Sequence, residues 1–180
     1  MKKIVPLICI VLSCGVSFSF SQESQGYKNA VGLRGGWVGG ITGKHFLDDD
    51  RAIEGILSSG WGWRGFQLTG LYEIHKEAFT KEDAENFFWY YGAGAHIGDY
   101  VYKRWHPTGF TTGYYDRYPY ATIGIDGIFG LEYRIQDLPV TLSLDVKPFI
   151  EIPTFHKYAI PYHFWDSAFT IRYVFKNSSK

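Results

Sequence analysis

Six histidines are the side chains best suited to chemistry: His45, His75, His96, His106, His156 and His163. A structural or catalytic metal needs several imidazole, thiolate or carboxylate ligands converging on one ion, and sequences announce this by spacings such as H-x-x-x-H. That spacing is absent, so a metal would need distant segments to meet, and neither a metal nor another cofactor is expected. Acyl transfer is the second chemistry these residue types allow. Ser58 or Ser59 would serve as nucleophile, His163 or His106 as base, and Asp166 or Asp116 as the orienting carboxylate. Such a set works only if base and orienting group stand within hydrogen-bond reach. The residues lie in no recognisable motif, and the expectation is a protein that is not an enzyme.

The third chemistry is recognition. Between Asp99 and Tyr120 the chain carries Tyr100, Tyr102, Trp105, Phe110, Tyr114, Tyr115, Tyr118 and Tyr120, with Lys103, Arg104 and Arg117 among them. A second stretch, Pro153 to Asp166, adds Phe155, Tyr158, Tyr162 and Phe164. Tyr, Trp and Arg dominate binding hot spots because they bury large area at small entropic cost. Read as two long loops, these stretches offer a contact surface built from Trp105, Tyr114, Tyr115, Arg117, Tyr158 and Tyr162 for an extracellular ligand or protein. The alternative reading makes the same aromatics girdle and hairpin side chains on strands that run past a membrane.

The elements that must position these residues follow from composition and pattern. The chain has 180 residues, a single-domain length. With 18 basic against 18 acidic groups, its formal charge is zero, which argues against a nucleic-acid partner. Aromatics at 19% and hydrophobics at 46% exclude a disordered chain. The longest apolar run, Ile4 to Leu12, falls far short of the roughly 20 residues a membrane-spanning helix requires. That run follows Lys2 and Lys3 and precedes Ser19-Phe20-Ser21, the layout of a secretory signal peptide over residues 1–21 cut after Ser21. The competing reading is a lipoprotein site at Val11-Leu12-Ser13-Cys14. Cleavage after Ser21 removes Cys9 and Cys14, the only two cysteines, and leaves residues 22–180 without thiols.

From Ala30 onward the hydrophobic period is two. Eight strands are predicted: Ala30 to Trp37, Ile41 to Leu47, Ala52 to Ser59, Phe66 to His75, Phe88 to Gly98, Ala121 to Ile135, Val140 to Ile152, and Ser167 to Phe175. In the sixth, Ile123, Ile125, Phe129, Leu131, Tyr133 and Ile135 share one face, while Thr122, Gly124, Asp126, Gly130, Glu132 and Arg134 share the other, interrupted by Ile128. In the seventh, Val140, Leu142, Leu144, Val146 and Ile150 oppose Thr141, Ser143, Asp145 and Lys147. A soluble lipocalin-like barrel would turn the aliphatic face inward; a membrane barrel turns it outward. Aromatics near strand ends (Trp37, Trp61, Trp63, Trp89, Tyr91, Trp165, Tyr173, Phe175) and alternating short and long connections favour the membrane.

The runs Gly40-Ile41-Thr42-Gly43-Lys44-His45-Phe46-Leu47, Tyr90-Tyr91-Gly92-Ala93-Gly94-Ala95-His96-Ile97-Gly98 and Gly124-Ile125-Asp126-Gly127-Ile128-Phe129-Gly130-Leu131-Glu132-Tyr133 carry a resemblance. So do Gly32-Leu33-Arg34 and the closing Ile171-Arg172-Tyr173-Val174-Phe175. Together they resemble the small outer-membrane β-barrel domain proteins of Gram-negative bacteria, the eight-stranded OmpA/OmpX-like barrels. The resemblance spans Ala30 to Phe175 and implies an antiparallel up-and-down transmembrane β-barrel in the cell outer membrane. It implies outer-membrane lipids as surroundings and the barrel assembly machinery as a partner that reads Tyr173 and Phe175. Some barrels of this size are lipid A deacylases or acyltransferases, the enzymatic alternative for the serine, histidine and aspartate set above.

With the aliphatic face outward, the lumen receives Arg34, Lys44, Arg134, Lys147 and Arg172 against Glu54, Glu73, Asp126, Glu132 and Asp145. An eight-stranded barrel is only wide enough for side chains to fill, and unpaired burial costs several kcal/mol per ion. A plugged barrel held by ion pairs is therefore expected, with lumenal Gly32, Gly92, Gly94, Gly124 and Gly130 leaving room for the long side chains.

Overall fold

The computed structural model describes residues 27–60, 65–78, 86–108, 112–153 and 164–175. Residues 1–26, which include the expected signal peptide, and Trp61, Trp63, His156, Tyr158, Tyr162, His163 and the tail 176–180 lie outside them.

Eight strands follow one another: β1 Asn29–Gly36, β2 Val38–Phe46, β3 Arg51–Gly60, β4 Gly65–Glu77, β5 Phe87–Pro107, β6 Gly113–Arg134, β7 Val140–Pro153 and β8 Trp165–Phe175. Each pairs antiparallel with the next, and β1 pairs with β8 to close the barrel. Closure removes the free edges that an open sheet would expose. Both termini of the described barrel lie at one end, since Asn29 is in register with Phe175. At that end β2 and β3 are joined through residues 47–50, where Asp48 Oδ1 accepts the Arg51 amide at 3.0 Å. Short Asp side chains that bond their own backbone in this way favour tight turns.

Side chains sort by the pleat. Leu33, Ile41, Leu57, Leu68, Ile97, Ile123 and Ile152 form one exposed row around the outside; Ile125 and Ile150 in the next row are 64% and 65% exposed. Most interior positions of the same strands are Thr, Ser, Gly and charged residues, with Thr42, Glu54, Thr69, Thr122, Ser143 and Arg172 among the buried ones. A water-soluble barrel reverses this arrangement, so the lipocalin-like alternative does not describe this chain. Aromatics ring the end that carries the termini: Trp89 lies against Tyr91 (5.3 Å between centroids) and Phe129 (6.1 Å), Phe87 against Tyr133 (4.6 Å), and Tyr173 against Phe175 (5.4 Å). Trp37, Phe66, Phe164 and Trp165 are exposed at the far end.

Three features depart from the sequence expectation. The stretch Asp99 to Tyr120 is a β-ladder, beyond the strand ends expected at Gly98 and Ala121 and in line with the alternative reading of strands that run past a membrane. β5 and β6 run 21 and 22 residues and stay paired out to Pro107 opposite Gly113. β4 last pairs at Tyr100 and β7 at Thr122, so beyond them the two strands form a ribbon roughly 25 Å long at 3.3 Å per residue. Second, Trp37 is the link between β1 and β2 and lies outside both strands. Third, the β6–β7 ladder skips from Asp126 opposite Phe149 to Phe129 opposite Val146. Pro148, which has no amide to donate, occupies the gap against Gly127, where an added Cβ would lie 3.3 Å from its ring.

Candidate functional site: the charged lumen and the projecting ribbon

The lumen is assembled from alternate positions on all eight strands. Near the end with the termini, Lys44 of β2 sits among glutamates from β3, β4 and β6, its Nζ 3.1 Å from Glu54, 2.8 Å from Glu73 and 3.8 Å from Glu132. Arg172 of β8 donates to Glu54 Oε1 at 2.5 Å and to Ser143 Oγ at 2.6 Å, and lies 3.8 Å from Glu132. The Thr42 hydroxyl also donates to Glu54. Tyr27 donates to Glu132 at 2.7 Å. His75 lies 3.1 Å from Glu73 and stacks on Tyr90 at 4.9 Å between centroids.

Two further groups fill the remainder. Arg34 bridges Asp145 at 2.7 Å and Asp166 at 3.2 Å, and Tyr90 donates to Asp145 at 3.2 Å. Lys147 donates to Asp126 at 2.6 Å; His96 Nδ1 lies 2.7 Å from the other oxygen of Asp126, and its Nε2 is 3.4 Å from Glu151. Charges taken from water must be matched this closely to be tolerated.

Glycine makes the space. Gly32 is in register with Arg172, Gly92 with Glu73, Gly124 with His96 and Gly130 with Tyr90. A Cβ on Gly130 would lie 2.5 Å from Tyr90 Cζ and 2.8 Å from Asp145 Cβ, closer than carbon atoms approach. On the outer surface, Gly43, Gly55 and Gly70 would meet nothing within 4 Å.

The structure places the ten expected lumenal charges as follows. Arg34, Lys44, Glu54, Glu73, Asp126, Glu132, Asp145, Lys147 and Arg172 are buried inside. Arg134 stands at the rim, 3.5 Å from Glu132 with its guanidinium over the rings of Phe88 and Tyr27 at 3.9 and 4.8 Å. Asp166 joins the interior instead, giving four buried cations and six buried carboxylates among the described residues. The expected balance of five against five is corrected accordingly. His75, His96, Glu151, Tyr27 and Tyr90 were missed, although His75 shares strand parity with Glu73, and His96 with Gly92 and Gly94. Nor is the interior uniformly polar: Ile56, Leu71, Ile128 and Tyr90 form one buried cluster, and Tyr27, Phe46, Ala30, Ala52 and Val174 another.

Among the described residues, which do not include His163, the acyl-transfer set is not assembled. Ser58 Oγ donates to the Gln67 carbonyl at 3.4 Å and Ser59 Oγ to that of Gly65 at 2.8 Å. Asp166 is held by Arg34, and Asp116 lies 3.2 Å from His106 on the ribbon. Among the described residues, no group of three or more His, Cys, Asp or Glu is arranged to hold a metal.

The recognition candidates fall on strands. Tyr114, Tyr115 and Arg117 are exposed on β6; Trp105 belongs to β5, in register with Tyr115. His106 stacks on Tyr114 with centroids 5.3 Å apart.

No family model matches the sequence, and no curated protein matches it. A solved structure does: the N-terminal β-barrel domain of Pseudomonas aeruginosa OprF is similar with a TM-score of 0.51 at 12% sequence identity, over 85% of this chain and 100% of that one. The fold is that of an outer-membrane β-barrel domain. The barrel is closed, antiparallel and eight-stranded, with lipid-compatible side chains outside and charge within.

Proposed function

We propose that this chain is an integral protein of the Gram-negative outer membrane, exported by residues 1–21 and folded over 22–180 into a plugged barrel. Its role is structural or in recognition at the cell surface, exercised by the β5–β6 ribbon, and not catalytic. The observation that carries this reading is the inverted polarity: aliphatic rows outside, and inside them ten buried charged positions drawn from seven strands and engaged in ion pairs. With turns 47–50 and 135–139 at the periplasmic end, the ribbon projects outside the cell and presents exposed Tyr114, Tyr115 and Arg117 as a contact surface; Trp105, Tyr158 and Tyr162 belong to that surface on the sequence reading alone. Tyr173 and Phe175, the exposed aromatics that end β8, serve as the signal to the assembly machinery.

Outer-membrane fractionation followed by electrophoresis with and without boiling tests the location. The expected result is a membrane-fraction band whose mobility changes on heating; a soluble protein with no shift would refute it. Planar-bilayer recording tests the plug. Steady conductance comparable to that of a porin would overturn it.

A further inference from the structure

The rung Thr69, His96, Gly124 and Glu151 crosses four strands, β4 to β7, in the half of the barrel away from the termini. Asp126 takes one nitrogen of the imidazole. An ionised carboxylate only accepts, so Nδ1, 2.7 Å from Asp126 Oδ2, carries the hydrogen, and Nε2 is left with a lone pair. That lone pair faces Glu151 Oε2 at 3.4 Å, one acceptor opposite another. A proton between them would draw the two atoms to about 2.7–2.9 Å, the length of a charge-assisted hydrogen bond. Two ligands each roughly 2.0–2.1 Å from a tetrahedral metal ion stand about 3.3–3.4 Å apart.

Two independent observations point to a cation at this rung. Thr69, in register with His96, and Thr122, on the next inward rung opposite Gly98, are 1% and 3% exposed, and neither hydroxyl has a hydrogen-bond partner among the described residues. Buried hydroxyls without partners are costly, and each can accept from a water held on a metal ion. Charge is the second observation. The ion-pair groups of this half set Arg34 and Lys147 against Asp126, Asp145, Asp166 and Glu151, so two cations meet four carboxylates and a divalent ion makes up the difference. Gly124 makes the room: a Cβ there would lie 2.4 Å from His96 Cε1 and 2.7 Å from its Nε2. The Glu151 side chain keeps 16% of its surface exposed, which gives an ion a way in.

We propose that His96 Nε2 and Glu151 Oε2 bind a divalent first-row transition-metal ion of the zinc class, with Asp126 orienting the imidazole and water completing the coordination. Imidazole beside carboxylate suits zinc and its neighbours, whereas calcium and magnesium take oxygen ligands. Lys147 donates to the other oxygen of Asp126 at 2.6 Å and holds that carboxylate in turn. Two side-chain ligands are fewer than the three or four that retain a resident zinc, and among the described residues no third histidine or carboxylate is placed to join them. The site therefore exchanges its ion. It belongs to the barrel interior and does not depend on what the ribbon contacts.

The test is competition for zinc between the refolded full chain, carrying no histidine tag, and a chromophoric chelator. One zinc per barrel is expected, undisturbed by excess magnesium. Loss of a partner behind a metal-bound imidazole alone costs about 10–100-fold in affinity, so His96→Gln and Glu151→Gln, which remove the ligands themselves, should each weaken binding at least tenfold in barrels that keep their heat-dependent gel mobility. His45→Gln is the control, since His45 stands at the opposite end with Nδ1 2.7 Å from Asn29. Nitrogen-15 NMR of the histidine rings in the unsubstituted barrel reads the same site without a variant: zinc should shift His96 Nε2 while Nδ1 keeps its hydrogen. No saturable zinc binding, binding that survives either substitution in a folded barrel, or a His96 ring protonated on both nitrogens and unchanged by zinc would overturn the site.

Discussion

Arg172 ties β8 to β3, β6 and β7 across the lumen, and its removal is a sharp probe of how that lumen works. It is wholly buried, bonds Glu54 and Ser143 at 2.5 and 2.6 Å, and approaches Glu132 at 3.8 Å. Arg172→Met keeps an unbranched stem beside Gly32 and deletes the charge. Glu54, Glu73 and Glu132 are then left to Lys44, with Arg134 acting on Glu132 from the rim. Removing one partner of a buried ion pair costs about 3–5 kcal/mol. Urea unfolding of the refolded barrel in lipid vesicles, followed by tryptophan fluorescence, should show a loss of that size. Arg172→Met combined with Glu54→Gln should recover about 1–2 kcal/mol, because residues in one network couple by about 0.5–3 kcal/mol. Arg51→Met is the control: Arg51 pairs with Asp48 and Asp50 at 3.5 and 3.6 Å on the exposed β2–β3 turn, and such a pair is worth about 0–1 kcal/mol. A loss below about 1 kcal/mol for Arg172→Met, with the barrel still folded, would mean that water enters and screens the lumen, and the close-packed interior argued above would be wrong.

Other outcomes follow from the same geometry. Gly130→Val should destabilise the barrel by about 1–3 kcal/mol or prevent its folding, since the new atoms collide with Tyr90 and Asp145, whereas Gly55→Ala, facing open space, should change urea stability by less than about 0.5 kcal/mol. Phe175→Ser should lower the amount of heat-shifting barrel in the membrane fraction while export continues; undiminished insertion would show that this ending is not read during assembly. Replacing residues 103–117 by Gly-Gly should leave the gel shift unchanged, because β4 and β7 end their pairing at Tyr100 and Thr122 and the ribbon adds nothing to closure.

Much of this architecture is legible in the residues because a barrel one side chain thick translates period two directly into inside and outside. The alternation of Ile123, Ile125, Phe129 and Leu131 with Gly124, Asp126, Gly130 and Glu132 suffices to orient β6 once the exterior is known to be apolar. The ribbon stayed undecided between loops and extended strands for the converse reason. Beyond Tyr100 and Tyr120 neither face packs on a core, so aromatics and cations occur at both parities, and Pro119 reads as a strand breaker. Pro119 is tolerated because it lies past the end of β7, where one side of β6 has no described neighbour to which an amide would donate. Asp166 was assigned to a loop because the aromatic Trp165 beside it resembles a girdle residue; both lie on β8, at opposite parity. The lumenal histidines were overlooked because a search for metal spacings scans along the chain, while His96 meets Asp126 and Glu151 across strands.

The most direct test of the central claim uses the absence of cysteine from residues 22–180. Single cysteines placed in turn from residue 123 to 133 of β6, spin-labelled in reconstituted vesicles, report oxygen accessibility by electron paramagnetic resonance. The account predicts high values at 123, 125, 129 and 131, where Ile123, Ile125, Phe129 and Leu131 face outward, and low values at buried 124, 126, 128, 130 and 132. Uniform accessibility along the strand, or the opposite phase with the odd positions protected, would contradict it.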